Sequence, residues 1–132
     1  MKQVLDSRFL IEYHYSQDAE TRKKALQKIK ELAQNCNGII PTIVVLETIR
    51  IIAQTEGKDR AEMVYLWLTT IGIKIESLSP SIAKEAGILK SVYRHLPTGD
   101  CIIAATAIKN QAKIISDDPH FDSIKETKRT WI

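Results

Sequence analysis

Residues 96–121 read LPTGDCIIAATAIKNQAKIISDDPHF, and the fold is decided there. Thr98 stands where it can cap a helix, Asp100 falls in the first turn, and Ile102 to Ala107 run on small or apolar without a break. A helix with no polar face is packed on most sides. It leads straight into AKIIS, residues 112–116, an apolar run with strand character that ends in Asp117 and Asp118. A packed helix feeding a buried strand is half of an α/β unit.

The same alternation extends to both ends. KQVLD gives a strand over 3–6, followed by a helix from Ser7. In DAETRKKALQKIKELAQN, Ala25, Leu26, Ile29, Leu32 and Ala33 recur at helical spacing, and Asn37-Gly38 closes that helix. GIIPT is a very short strand. TIVVLETIRIIAQT is β-branched, yet its length and its internal Glu47 and Arg50 favour a buried helix. Gly57-Lys58 separates it from a helix in DRAEMVYLWLTTIG, with Ala61, Val64, Tyr65 and Leu68 apolar. IKIESLS is the next strand. Ser79-Pro80 starts a helix with Ile82, Ala86, Leu89 and either Val92 or Tyr93 in its stripe, and RTWI is a possible last strand. The expected class is α/β with a mostly parallel central sheet, residues 1–132 forming one domain.

Composition bounds the function. A net charge of +3 permits a polyanionic partner without requiring one. Cys36 and Cys101, both in stretches that read as buried or semi-buried, lack metal-ligand spacing and are expected to be free thiols. The N-terminal stretch is broken by Asp6, Arg8 and Glu12, unlike a signal peptide, and no apolar run reaches membrane-spanning length. A cytoplasmic protein without membrane contact is the expectation.

In an open α/β sheet, ligands bind beyond the carboxyl ends of the strands. Asp6 follows one strand there, and Asp117 and Asp118 follow another. Glu47 is the one acid in an apolar helix, and Asp100 opens the packed one. Each has an ordinary alternative: Asp6 as a helix cap, Glu47 as a partner of Arg50, Asp100 as a complement to the helix dipole, Asp117-Asp118-Pro119 as a turn. Jointly they point to a carboxylate cluster, which an oxygen-seeking Mg²⁺ or Mn²⁺ would neutralise. His14, His95 and His120 have no ligand-like spacing, zinc is disfavoured, and His120 reads as a bystander.

The stretches VLDSRFLIE, IIPTIVVLETIR, PTGDCIIAATA and IISDDPHF, in this order across nearly the whole chain, resemble the PIN-domain family of metal-dependent ribonucleases, in particular the toxin-like members of toxin-antitoxin pairs (VapC-like). The resemblance implies a three-layer α/β/α sandwich with a small parallel sheet. It also implies an acidic pocket binding Mg²⁺ or Mn²⁺ for endonucleolytic hydrolysis of RNA. By motif position Asp6, Glu47, Asp100 and Asp118 look like the catalytic, metal-binding acids, with Asp117 secondary and Ser7 and Ser116 as supporting polar groups. It further implies a homodimer and a small antitoxin partner, the candidate surface being 43–70 with Ile51, Ile52, Met63, Tyr65 and Trp67. No aromatic platform for bases is apparent, so RNA contact would rest on cations such as Arg8, Arg50, Lys109 and Lys113. A non-catalytic RNA-binding or regulatory module, or a housekeeping RNA-processing nuclease, remains the alternative.

Overall fold

A computed structural model describes all 132 residues. The elements run β1 (Gln3–Leu5), α1 (Ser7–Tyr15), α2 (Ala19–Asn35), β2 (Gly38–Pro41), α3 (Thr42–Glu56), α4 (Lys58–Thr70), β3 (Lys74–Glu76), α5 (Pro80–Val92), α6 (Thr98–Lys109), β4 (Lys113–Ile115) and β5 (Arg129–Thr130), with a 3₁₀ turn at Pro119–Ser123. The five strands are ordered β3-β2-β1-β4-β5. Every pairing is parallel, so the sheet is wholly rather than mostly parallel.

The topology distributes the helices. β1 to β2 to β3 steps outward in one direction through α1–α2 and then α3–α4, whereas β3 to β4 crosses back through α5–α6. Right-handed crossovers place the first four helices on one face and the last two on the other, giving the three-layer α/β/α sandwich. The strand order reverses between β1 and β4, and register aligns Leu5 with Ile115. Residues following these two strands therefore emerge side by side at the topological switch point.

Short strands suffice because they are apolar on both faces: Val4, Leu5, Ile39, Ile40, Ile114 and Ile115 are all buried. α6 behaves as its composition requires, with Cys101 and Ile103 to Ala107 buried, and Thr106 inside it satisfied by donating to the Ile102 carbonyl at 2.8 Å. α3 is a helix despite its β-branched run, buried along Val44, Thr48 and Ile52.

Several local expectations are corrected. Thr98 is the first residue of α6 and gives no cap; the cap position is Pro97, which has no side-chain acceptor. Leu26 faces solvent beside a buried Ala25, Ile29 and Leu32, because it lies one step round α2 from that stripe. Tyr65 is likewise exposed on α4, where Ala61, Val64 and Leu68 are buried. Cys36 is exposed, being the left-handed cap that ends α2 (φ 56°), whereas Cys101 is buried; both are free. At the end of α5 it is the capping Tyr93, not the exposed Val92, that packs on the core.

Candidate metal and active site

β1 delivers Asp6 to the switch point, where the residue does two jobs. It caps α1, its Oδ1 accepting the Ser7 N–H at 2.8 Å, and its own N–H extends the β1–β4 ladder to the Ile115 carbonyl at 3.1 Å. Its second oxygen, Oδ2, accepts the Ser116 hydroxyl at 2.6 Å in a buried contact. Ser116 Oγ in turn accepts the Asp118 N–H at 3.0 Å. One wholly buried hydroxyl thus ties the acid after β1 to the acid after β4.

Asp118 then caps the 3₁₀ turn, its Oδ1 accepting the His120 N–H at 2.9 Å. This places the His120 ring against two acids, Nδ1 lying 3.4 Å from Asp118 Oδ1 and 3.5 Å from Asp100 Oδ2. The reading of His120 as a bystander does not hold: ligand atoms of Asp100, Asp118 and His120 lie within 4.8 Å of one another. Phe121 is fully buried and anchors the turn.

Glu47 arrives from α3. Its Oε2 lies 3.3 Å from where a β-carbon on Gly99 would stand, so the absence of a side chain at Gly99 lets α3 and α6 meet with Glu47 beside Asp100. Glu47 Oε1 is buried and has no hydrogen-bond partner. The expected alternative, an ion pair with Arg50, does not form; Arg50 donates to Gln54 at 3.0 Å.

The acids sense one another. Burial raises the Asp6 carboxyl above its ordinary value, with the Asp118 charge adding to the rise against the hydrogen bonds from Ser116 and Ser7. Glu47 is raised by burial and then by the charges of Asp6 and Asp100, with Ser7 and the Arg50 charge working the other way. Asp100 is pushed up to about 6 by burial and by Asp6 and Asp118, with the His120 contact working the other way. The structure thus brings Asp6, Glu47, Asp100 and Asp118 into one mutually repelling group, with Ser116 and Ser7 holding its first member.

Asp117 turns aside. It pairs with Arg8, and the two line a groove with Ser7, Ile11, Glu12 and Ile51 next to the cluster. Lys109, another expected RNA contact, faces Glu76 instead at 3.6 Å. Tyr13 and Trp67 do stack, 5.0 Å apart and 3° from parallel, but between α1 and α4 and partly buried on the core.

The donor set fits a hard divalent cation. Asp6, Glu47 and Asp100, with raised proton affinity, share too little positive charge with Asp118 beside them, and one buried oxygen has no protein partner, which is the deficit such an ion removes.

Sequence reasoning missed Arg129 and Asp122, which brace the loop carrying Asp118. Arg129 donates to both Asp122 oxygens, at 2.9 and 2.8 Å, and to the Ser116 carbonyl at 3.2 Å. No local pattern announces this, since the contact depends on β5 lying beside β4.

Known proteins agree with this architecture. No curated protein sequence matches. Among solved structures, VapBC2 from Rickettsia felis bound to a DNA fragment from its promoter superposes with a TM-score of 0.78 at 16% identity, covering 99% of this chain and 98% of that one. DNA-bound VapBC from Salmonella typhimurium gives 0.77 at 13%, covering 99% and 98%. The Mycobacterium tuberculosis toxin VapC20, which cleaves the sarcin-ricin loop, gives 0.71 at 15%, covering 94% and 95%. At such identities these structures speak for the fold. The PIN domain family model, however, matches residues 4–127 of the sequence itself, and the chain belongs to the PIN-domain family.

Proposed function

We propose that the protein is a divalent-metal-dependent endoribonuclease, its 132 residues forming one PIN nuclease domain, and that it is the toxin of a toxin-antitoxin pair. The observation carrying this reading is the buried, unpartnered Glu47 Oε1 facing acids whose protons are held abnormally tightly. A protein stabilised only by its own contacts has no use for such a group.

Mg²⁺ or Mn²⁺ would be held by oxygens of Asp6, Glu47, Asp100 and Asp118, with Asp117 outside that set. When bound, the ion supplies Lewis acidity, polarising water and the scissile phosphate and offsetting the charge that develops there. The chain supplies the orientation. Ser116 and the Ser7 N–H hold Asp6 through both of its oxygens, and Asp118 is held through its backbone. His120, half exposed at the rim, turns its Nδ1 toward Asp100 and Asp118 and can help hold both carboxylates in place. Arg8 at the groove edge offers a cation to the RNA backbone.

The partners follow from the relatives. Among the solved structures this chain resembles is a toxin-antitoxin complex from Klebsiella pneumoniae at 20% identity, with a TM-score of 0.70, covering 96% of this chain and 95% of that one. An antitoxin segment and a second copy are the proposed occupants of the exposed apolar side chains on α3 and α4, Leu46, Met63, Tyr65 and Leu66. Ile52, expected on that surface, is instead core.

Single-stranded RNA incubated with the protein tests the reading. Cleavage should require Mg²⁺ or Mn²⁺, stop in EDTA, and fall at least about a hundredfold in Asp6→Asn, which preserves the helix cap. Cleavage that survives both EDTA and the substitution would overturn it; RNA binding unchanged by either, with no cleavage at all, would favour a non-catalytic module.

A further inference from the structure

We infer that Arg129 is the positioning residue of the carboxylate cluster, holding the loop that presents Ser116, Asp118 and His120. The inference rests on the reading of that cluster as a metal site. Three of the loop's constraints originate in β5. The Ser116 N–H donates to the Thr130 carbonyl at 3.0 Å, the Ser116 carbonyl accepts Arg129 Nη1 at 3.2 Å, and Asp122 at the far end of the loop takes Arg129 Nε and Nη2. Ser116 is therefore gripped at both backbone groups while its hydroxyl holds Asp6 and the Asp118 N–H.

The geometry separates this role from RNA binding. All three guanidinium nitrogens are engaged within the protein, and the side chain is only 26% exposed. The planar fork matches Asp122 with two parallel bonds and leaves a third nitrogen for Ser116, a pattern an ammonium group cannot reproduce. Arg129 touches none of the four clustered acids through these bonds; it acts through Ser116 and Asp122.

Positioning and simple charge predict opposite signs. Arg129 is a cation near an anionic cluster, so if charge were its whole effect, removing it would tighten cation binding. If it positions the loop, removing it weakens binding, and a lysine that retains the charge fails almost as badly as a neutral residue.

Mn²⁺ titration of the full chain, followed by calorimetry, should show wild type binding about tenfold more tightly than both Arg129→Lys and Arg129→Gln, with Asp122→Asn in between. In the metal-free proteins, amide hydrogen exchange should quicken at Asp118 and His120 while Val4 in β1 keeps its protection. For RNA cleavage, kcat should fall with little change in KM. Tighter Mn²⁺ binding by Arg129→Gln with Arg129→Lys like wild type would overturn the inference in favour of charge. So would lowered melting temperatures in every variant with unaltered Mn²⁺ affinity and unaltered exchange at Asp118 and His120. If wild type bound no Mn²⁺, the metal reading itself would fall, and the exchange rates alone would still decide whether Arg129 holds the loop.

Discussion

Glu47 and Glu76 are both glutamates drawn into the protein, and the chain treats them in opposite ways. Glu76, at the end of β3, is 8% exposed and surrounded by donors: Lys74 at 3.4 Å, Lys109 at 3.6 Å, and the Asn110 amide 3.2 and 3.3 Å from its two oxygens. Glu47 has one oxygen with no partner and faces the charges of Asp6 and Asp100, against which Ser7 and the more distant Arg50 give only partial relief. The first is a clamp between β3 and the end of α6, its desolvation offset from within the chain. The second leaves its desolvation to be offset from outside. Burial alone does not mark a functional acid; the source of its compensation does.

Exchanging each for its amide tests this division and carries the largest expected effect. Glu47→Gln should lower metal-dependent RNA cleavage at least about a hundredfold and weaken Mn²⁺ binding, while metal-free stability holds or rises, since a repelling charge is gone. Glu76→Gln should do the reverse, costing about 1–2 kcal/mol in urea denaturation through lost charged hydrogen bonds and leaving cleavage within a few-fold of wild type. The lysines it releases are half or more exposed and solvate readily, which keeps that cost small. Equal losses of cleavage in both variants would dissolve the distinction.

The same contrast appears as a pH dependence of intermediate size. Asp100, raised from 3.8 to about 6, keeps its proton in the folded state over a window where the unfolded chain has released it. Between about pH 4 and 6 the folded protein binds more protons, so metal-free stability falls as pH rises, Asp100 contributing at most about 3 kcal/mol at 1.36 kcal/mol per pH unit. Glu47 and Asp6, also raised, act in the same direction. Asp18 and Asp122, lowered by hydrogen bonds from Thr21 and Arg129, act oppositely only as pH falls below the ordinary carboxylate range, while His14, lowered by burial, opposes the trend just below its ordinary value of 6.5, one group against the three raised acids. Urea denaturation in EDTA at pH 5 and pH 7 should thus show the lower stability at pH 7, and Mn²⁺ should remove or invert the difference. A metal-free protein more stable at pH 7 would mean that the cluster is neutralised internally, as Glu76 is.

Much of this arrangement was legible in the chain because it depends on local pattern. The apolar runs around Val4, Ile39 and Ile114 read as short strands, and strands alternating with helices read as a mostly parallel sheet. Asp6 and Asp118 followed at the carboxyl edge, since a strand end is a position and not a contact. Glu47 was conspicuous as the single acid in an apolar run. What escaped notice depends on pairing between distant segments. β5 is only two residues long, and without its register on β4 nothing connects Arg129 to Ser116 or to Asp122. His120 was misread because its spacing is uninformative; a 3₁₀ turn capped by Asp118 is what swings its ring toward Asp100. Leu26 and Cys36 were misplaced for a simpler reason, a rotation of one residue about α2 and a left-handed residue at its end.

Asp117 gives the smallest expected effect and the closest test of where the cluster stops. It is adjacent in sequence to Asp118, yet it faces Arg8 across the groove, in a pair whose side chains are 34% and 55% exposed. Exposed pairs of this kind contribute about 0–1 kcal/mol, so Asp117→Asn should cost about 0.5 kcal/mol or less, and less still at high salt. Its Mn²⁺ affinity should stay within a few-fold of wild type. Because the substitution frees Arg8 while removing a negative charge from the groove, the KM for RNA should drop slightly as kcat holds. A loss of cleavage as deep as that of Glu47→Gln would place Asp117 inside the cluster, and the acid compensated by Arg8 would then belong with the uncompensated ones.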